Sequence, residues 1–310
     1  MRTTSRRIST RGCAKGRVYL RGQKGGAALR RGGDLLHMPP ATWGLAFPAG
    51  SGVPTDALNP RHPTVFYPDA ATVVIAVPSH SPEHEDRLAK LAEEAGPRIA
   101  AARTLIIDFR GNEGGSSGTT NVLAPFLLSP VKAGAVPAEA GDAGVLSSPD
   151  NIAYFARAES QGWVPKGLVA RMGAAPGRVV PLLDAPASPE ALPSIGPGDV
   201  SKHPESVAIL VDGAVVSAAE AALLQARPFS KVTVFGSPTG GTIDYQSVNV
   251  VDAARCGTYG FSLGYPIMAG SLRLPKGGYN AAGIPHDVTI QASEMDPIHF
   301  IVKYYARPKP

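Results

Sequence analysis

The chain has 310 residues, which is long enough to bury the core of one large domain or two small ones. Its hydrophobic content is 44%, and no apolar run approaches the ~20 residues that a membrane-spanning helix needs. The net charge of +5 is unevenly spread, because residues 1–33 contain eight Arg and two Lys and no acid. The rest of the chain therefore carries a net negative charge.

Residues 1–70 show no periodic pattern and form a basic, irregular N-terminal segment. A basic arm can bind nucleic acid or an anionic membrane. Tyr19 is the one aromatic residue within the basic stretch, and no nucleic-acid motif is present, so we expect no nucleic-acid partner. The segment also lacks the apolar h-region of a secretory signal. The two cysteines, Cys13 and Cys256, have no metal-ligand spacing, and we predict neither a cofactor nor a metal.

The first regular elements follow from residue 71. The run ATVVIAV (71–77) predicts a buried strand. Ser81 and Pro82 predict the start of a helix that continues to about Ala102, with a kink or break at Gly96-Pro97. TLIIDF (104–109) predicts a second buried strand, and a helix is expected near 120–128.

The second half of the chain repeats the alternation of strand and helix. Residues 131–205 are rich in Ala, Pro and Gly and are interpreted as an insertion with one or two short helices. Strands are predicted at 206–212 and 231–236, around a helix at 218–227. A β-rich stretch from 243 to 290 and a closing helix near 294–306, interrupted at Pro297, complete the chain. The alternation predicts an α/β core.

Ser217 stands between the strand at 206–212 and its helix. The sequence Ser217-Ala-Ala-Glu220 is a capping box, in which the two side chains satisfy free N–H groups of the helix. The functional alternative is a nucleophile beside oriented amides that stabilise an oxyanion. Such a serine needs a base, because a free hydroxyl is a poor nucleophile.

Four segments in order resemble the tail-specific (C-terminal processing) proteases of the S41 serine peptidase family. These segments are TLIIDFRGNEGG, SAAE, GSPTGGTIDYQ and AGIPHDVTI, the last with His286 where proline is usual. The stretch VVIAVPSHSPEHEDRL resembles the first strand and helix of the same core. The resemblance covers roughly 72–130 and 206–297, and it implies a ClpP/crotonase-like α/β fold with a peptidase domain over 71–310.

The resemblance also implies an active site. Ser217 would be the nucleophile, and the backbone N–H groups of Ala218 and of Gly114 or Gly115 would form the oxyanion hole. Glycines suit this place, because a backbone that approaches the reacting carbon closely leaves no room for a Cβ. The substrate would be a polypeptide, cleaved through an acyl-enzyme.

One position departs from the family pattern. The best-known branch uses a Ser–Lys dyad, but Thr242 stands at the lysine position, although Thr239, Gly241 and Gln246 fit the surrounding motif. Threonine cannot act as a base near neutral pH. Lys231 and Lys276 lie outside the motif, and neither is assigned the role.

A second branch of the family takes its base from a histidine at the position of Ala76. His80 and His84 follow a few residues later, and His80 is the substitute candidate because its pKa suits the role. An acidic partner for it would be Asp244 or Glu220. The alternative is that both histidines are solvated side chains at the start of the helix, with no catalytic role.

Two other interpretations stay open. His80-Ser-Pro-Glu-His84 fits the H-x-x-E-H zinc pattern, although Pro82 places His80 outside the helix. A catalytically inactive relative would bind a peptide or apolar ligand in the former cleft, and Thr242 favours this.

The family resemblance implies an exported or periplasmic protein, although no signal peptide is visible. The oligomeric state is not predicted.

Overall fold

A computed structural model describes residues 62–116, 118–133, 143–183, 203–256, 259–269, 274, 278–280, 282–290 and 296–307. In these residues the strands are β1 (Thr64–Asp69), β2 (Thr72–Ala76), β3 (Thr104–Asp108), β4 (Gly144–Leu146), β5 (Val179–Pro181), β6 (Ser206–Val211), β7 (Val232–Gly236), β8 (Tyr245–Cys256), β9 (Tyr259–Ala269) and β10 (Val288–Thr289). The α-helices are α1 (Glu85–Ala101), α2 (Ala124–Leu127), α3 (Pro149–Ser160), α4 (Leu168–Ala174), α5 (Ala218–Ala226) and α6 (Pro297–Ala306). Single 3₁₀ turns, Pro82–His84 and Asn121–Leu123, precede α1 and α2.

The main sheet has the order β1-β2-β3-β6-β7-β10. All strands from β2 onward in that order are parallel to their neighbours, and β1 is antiparallel to β2. Every residue of β2, β3 and β6 is buried, which explains their continuous apolar runs. Because the strands are parallel, the segments that follow β3, β6 and β7 all leave from the same edge of the sheet.

Helices cover both faces of this sheet. Leu105 and Ile107 of β3 pack with the buried residues of α1 and α5, whereas Ile106 packs with Ile298 and Ile301 of α6. Alternate residues of a strand point to opposite faces, so the sheet is sandwiched between α1 and α5 on one side and α6 on the other. The prediction of an α/β core is confirmed.

A second sheet has the order β5-β4-β9-β8 and is antiparallel throughout. The helices α3 and α4 pack with it around a core that includes Val145, Phe155 and Ile267. The described part of the 131–205 segment therefore contains the two helices expected there and, in addition, the strands β4 and β5. These strands extend the β8–β9 hairpin into a sheet.

Several element boundaries differ from expectation. The strand β1 begins at Thr64, before the expected start of order at Ala71. The helix α1 begins at Glu85 after the 3₁₀ turn, and it continues through Pro97 without a break. Glu93, whose carbonyl would have bonded to residue 97, is exposed, so water can replace the lost hydrogen bond. The predicted interruption of the last helix at Pro297 is also wrong, because Pro297 is the first residue of α6 and the Asp296 side chain caps it.

The described residues contain neither a membrane-spanning helix nor a group of metal-binding side chains. No helix among them is long and apolar enough to cross a membrane. Within the same residues no three His, Cys, Asp or Glu side chains are grouped so that they could hold a metal ion.

Candidate active site

Ser217 lies at the carboxyl edge of the main sheet, at the start of the helix that follows β6. It is the N-cap residue of α5 and has φ 57° and ψ −121°. Positive φ is strained for a residue with a Cβ, and such strain persists where the surrounding structure enforces it. The residue is partly exposed. The backbone therefore holds the serine in an unusual conformation at a solvent-accessible edge, where parallel sheets place their binding sites.

The turn after the neighbouring strand β3 lies directly against Ser217. A Cβ added at Gly114 would fall 2.7 Å from the Ser217 Cβ and 3.0 Å from the Val216 carbonyl oxygen. Gly114 also has φ +89°. Only glycine fits this position, for lack of space and because of its backbone conformation. The structure thus brings together two of the residues that the sequence placed in one site.

The backbone N–H groups near Ser217 are not equivalent. The N–H of Gly114 donates to the Asn112 Oδ1 over 2.9 Å, so it is already engaged. Gly115 is exposed, and its N–H has no hydrogen-bond partner within the described part of the chain. Ala218 is the first residue of α5, where backbone N–H groups have no partner inside the helix. Of the two glycines left open by the sequence, Gly115 is the one with a free donor.

Glu220 connects the serine to the turn before β8. Its side chain is completely buried, and its Oε2 accepts hydrogen bonds from the backbone N–H groups of Ser217 (3.1 Å) and Thr242 (2.9 Å). Its Oε1 accepts from the Thr239 hydroxyl and from the Gly241 N–H. The expected capping box is therefore present: the Ser217 side chain faces the backbone N–H of Glu220, and the Glu220 side chain accepts from the Ser217 N–H. These donors make Glu220 a structural anchor, and no histidine bonds to it among the described residues.

Thr242, at the position of the family lysine, is also engaged with the backbone. Its Oγ1 accepts a hydrogen bond from the Ser217 N–H over 3.0 Å and donates to the Glu220 Oε2 over 3.2 Å. Thr242 is exposed. It therefore contributes to holding the serine backbone, and it has no titratable group that could accept the Ser217 proton.

His80 is completely buried beside the glycine turn. Its backbone pairs with this turn, because the His80 N–H donates to the Gly114 carbonyl over 3.0 Å and Gly115 forms a parallel bridge with His80. Its ring packs against Phe109, and its Nε2 lies 3.3 Å from the Thr120 Oγ1. Its Nδ1 makes no hydrogen bond of normal geometry among the described residues, although the Asn112 side chain lies beside the ring. Burial lowers the pKa of His80, so the ring is neutral at physiological pH. No hydrogen bond joins it to Ser217 in the described chain.

His84 belongs to a different environment. Its Nε2 lies 3.4 Å from the Nδ1 of His62, and the two rings meet edge to face. The two histidines of the H-x-x-E-H pattern thus contact different partners, and within the described part of the chain they belong to no metal-binding group. Ala76, the position of the histidine in the second family branch, is the last residue of β2.

The remaining candidates lie apart from Ser217 or have other contacts. Lys231 precedes β7 and lies at the amino edge of the sheet, the opposite edge from Ser217. Asp244 accepts hydrogen bonds from the backbone N–H groups of Tyr279 and Asn280. Gln246 is partly buried on β8 opposite Met268. Lys276 lies outside the described residues.

The sequence interpretation gave no role to Asn112, which lies within the same glycine-rich motif. This side chain is completely buried and bonds both to the end of β2 and to the Gly114 turn. An asparagine two residues before a Gly-Gly pair indicates a local turn. Its hydrogen bond to the carbonyl of Val77, 35 residues earlier in the chain, could not be inferred from any pattern in the sequence.

Comparison with solved structures gives distant similarities. A lipoprotein from Streptococcus agalactiae is 14% identical with a TM-score of 0.44, over 80% of this chain and 71% of that one. A putative peptidase from Parabacteroides merdae is 16% identical with a TM-score of 0.40, over 76% of this chain and 61% of that one. The photosystem II D1 C-terminal processing protease is 15% identical with a TM-score of 0.40, over 74% of this chain and 46% of that one.

Curated protein sequences give no match. The model of peptidase family S41, in contrast, matches residues 72–290, which is more than half of the chain and includes both the glycine turn and Ser217. The chain therefore belongs to peptidase family S41.

Proposed function

We propose that the protein is a serine-type peptidase that hydrolyses peptide bonds through an acyl-enzyme on Ser217. The observation that carries this proposal is the strained backbone of Ser217 at the start of α5, packed against Gly114. A capping serine does not need a positive φ, since N-cap residues ordinarily adopt the β region. Strained conformations concentrate at catalytic positions, and here the strain coincides with an exposed sheet edge and unpaired amides.

The proposed reaction has two steps. The Ser217 Oγ attacks the carbonyl carbon of the substrate, and the hydroxyl proton passes through a base to the leaving amine as the peptide bond breaks. Water then attacks the resulting ester, which releases the carboxylic acid and restores the hydroxyl. In both steps the N–H groups of Gly115 and Ala218 would donate to the oxyanion. Removal of one such donor typically costs ~10²–10³ in turnover.

His80 is the proposed base: its ring is neutral, but the burial that lowers its pKa also opposes protonation where the ring now stands. Its backbone is bonded to Gly114, which contacts Ser217, so it belongs to the same local structure. The role requires the ring to leave Thr120 and reach the Ser217 hydroxyl when substrate binds. If His80 is the base, His80→Gln loses about 10²–10⁴ in rate. The control is His286→Gln, which changes a partly buried histidine of another segment and should keep the activity.

The function can be tested with a peptide library prepared by digestion of a whole proteome, which avoids any assumption about sequence preference. New N-termini are identified by mass spectrometry after incubation with the protein or with Ser217→Ala. We expect cleavages that require Ser217 and that persist in Ser148→Ala, a variant of another helix-capping serine. Cleavages of equal number in Ser217→Ala would contradict the proposal.

A non-catalytic peptide-binding function is the second candidate, and the hydrogen bonds of Thr242 favour it. Residue 242 is a threonine whose hydroxyl is bonded to the Ser217 N–H and to Glu220, so no amine at the family's lysine position can accept the serine proton. On this alternative, the protein would retain peptides from the same library without cutting them. Retention without new N-termini would therefore establish the binding function in place of the peptidase.

A further inference from the structure

Asn112 joins three segments that meet at Ser217. Its Nδ2 donates to the Val77 carbonyl over 2.7 Å, just beyond the end of β2, and its Oδ1 accepts from the Gly114 N–H over 2.9 Å. Its backbone carbonyl accepts from the Val216 N–H over 3.1 Å. Its own N–H donates to the Phe109 carbonyl over 3.0 Å. With no exposed surface, the residue has every one of these groups satisfied inside the protein.

The bonds of Asn112 determine which backbone N–H of the glycine turn stays unpaired. Because the side chain occupies the Gly114 N–H, the exposed N–H of the turn is that of Gly115. Because its backbone carbonyl binds Val216, the residue before Ser217, the glycine turn and the start of α5 are fixed to each other. Asn112 is thus bonded to both of the segments that carry the two amides, those of Gly115 and Ala218.

We propose that Asn112 is a positioning residue that holds these two oxyanion donors at their working separation. This inference rests on the proposed function of Ser217 and adds a residue to it. The amide group is suited to the role because it presents one donor and one acceptor on a short, rigid side chain. Alanine loses both bonds, and aspartate keeps the acceptor for Gly114 but loses the donor to Val77 unless its carboxyl is protonated.

The test uses a fluorophosphonate probe, which reports the reactivity of the serine without a known substrate. The labelling rate at saturating probe and the half-saturating probe concentration are measured for Asn112→Ala and for Asn151→Ala. Asn151 is a matched control: it is a buried asparagine that bonds to the Leu146 carbonyl and to the Tyr265 hydroxyl in the second sheet. Thermal unfolding is recorded for both variants.

We expect both variants to unfold at lower temperature, because each leaves buried backbone groups unpaired. Only Asn112→Ala should lose about 100-fold in the saturating labelling rate, the size of effect caused by a misplacement of about 1 Å, with the half-saturating concentration little changed. Equal rates in Asn112→Ala and the unaltered protein would overturn the positioning role. No labelling of the unaltered protein would remove the proposed function itself, and the inference with it.

Asn112→Asp serves if the alanine variant does not fold. Its labelling rate, expressed as a ratio to that of the unaltered protein, should rise as the pH falls, because the protonated carboxyl can again donate to the Val77 carbonyl. The Asn112 side chain also lies within hydrogen-bond reach of His80, and an aspartate there would favour the protonated ring. An effect through this proposed base would make the ratio fall as the pH falls, so a falling ratio would overturn the positioning role. A ratio that is constant with pH would contradict the proposed hydrogen-bond pattern.

Discussion

The Thr242 hydroxyl oxygen accepts a hydrogen bond from the backbone N–H of Ser217 over 3.0 Å. The family's lysine would stand at this position, and its amine would accept the serine proton. In this chain the side chain of Thr242 stabilises the backbone of Ser217, and position 242 provides no base for the Ser217 hydroxyl proton. The proposed activation of Ser217 therefore requires a group other than residue 242.

Thr242→Lys should restore a base at this position. Residue 242 is exposed, so a longer side chain can be accommodated. We expect the fluorophosphonate labelling rate to rise at least about ten-fold, with the gain growing towards alkaline pH as the amine loses its proton. Thr242→Met is the control, because it adds length without a titratable group. A rate in Thr242→Lys no higher than in Thr242→Met would contradict the expected effect.

Gly114→Ala should damage the site more than a similar change elsewhere in the same turn. Gly111 also has positive φ, +72°, but a Cβ there would meet nothing within 4 Å. Both alanine variants should lose about 1–2 kcal/mol of unfolding free energy from the backbone conformation alone. Only the Cβ at 114 collides with Ser217, so only Gly114→Ala should lose more than about ten-fold in labelling rate. Indistinguishable labelling rates in the two variants would show that the close contact is unimportant.

Glu220→Gln should destabilise the fold because the amide nitrogen would face N–H donors. We expect a loss of about 2–3 kcal/mol in the free energy of unfolding, measured in urea. Glu205 provides the control, since its exposed ion pair with Arg103 has a separation of 3.7 Å and Glu205→Gln should change stability by less than about 0.5 kcal/mol. Equal losses of unfolding free energy in the two variants would contradict a stabilising role for the buried hydrogen bonds of Glu220.

Lys231 should make stability depend on alkaline pH. Burial lowers the pKa of this amine to about 8 from its ordinary 10.5, and its Nζ has no hydrogen-bond partner among the described residues. Between these two values the unfolded chain binds the proton and the folded chain does not, so the free energy of unfolding rises with pH across that window. Below pH 8 the cost of the buried charge is present in full.

Lys231→Met should therefore abolish the rise and increase stability at neutral pH, by about 1 kcal/mol after allowance for solvent screening of a partly exposed side chain. Lys90→Met removes an exposed lysine of α1 and serves as the control. Urea unfolding at pH 7 and at pH 10 measures both effects. If the free energy of unfolding of Lys231→Met depends on pH as that of the unaltered protein does, Lys231 is not the cause of the pH dependence.

The central strands could be predicted because both of their faces are buried, which requires continuous apolar runs such as TLIID. The strand β1 could not be predicted, because TVFYPD lies at the edge of the sheet, has no fully buried residue and ends in Pro-Asp, a pair typical of turns. The break expected at Gly96-Pro97 did not occur, because Leu88, Ala92, Ala95 and Ile99 hold both halves of α1 against one core. Local propensity was overridden there by packing.

The candidate site was predictable only in part. The family resemblance placed Ser217 beside the glycine turn, and the structure shows Gly114 and Ser217 in contact, while their chemical roles stay predictions. The contacts that hold them could not be inferred, because Glu220 binds donors as far along the chain as Thr242, and Asn112 bonds to Val77 and Val216. Such side-chain bonds depend on how distant segments meet, and one sequence carries no pattern for them.

The most direct test of the account is labelling of the folded protein by a fluorophosphonate probe, followed by mass spectrometry of its peptides. We predict a single phosphonylated site at Ser217, absent in Ser217→Ala and retained in Ser148→Ala. An adduct on another residue, or no adduct in a protein shown to be folded, would contradict the claim that Ser217 is an activated nucleophile.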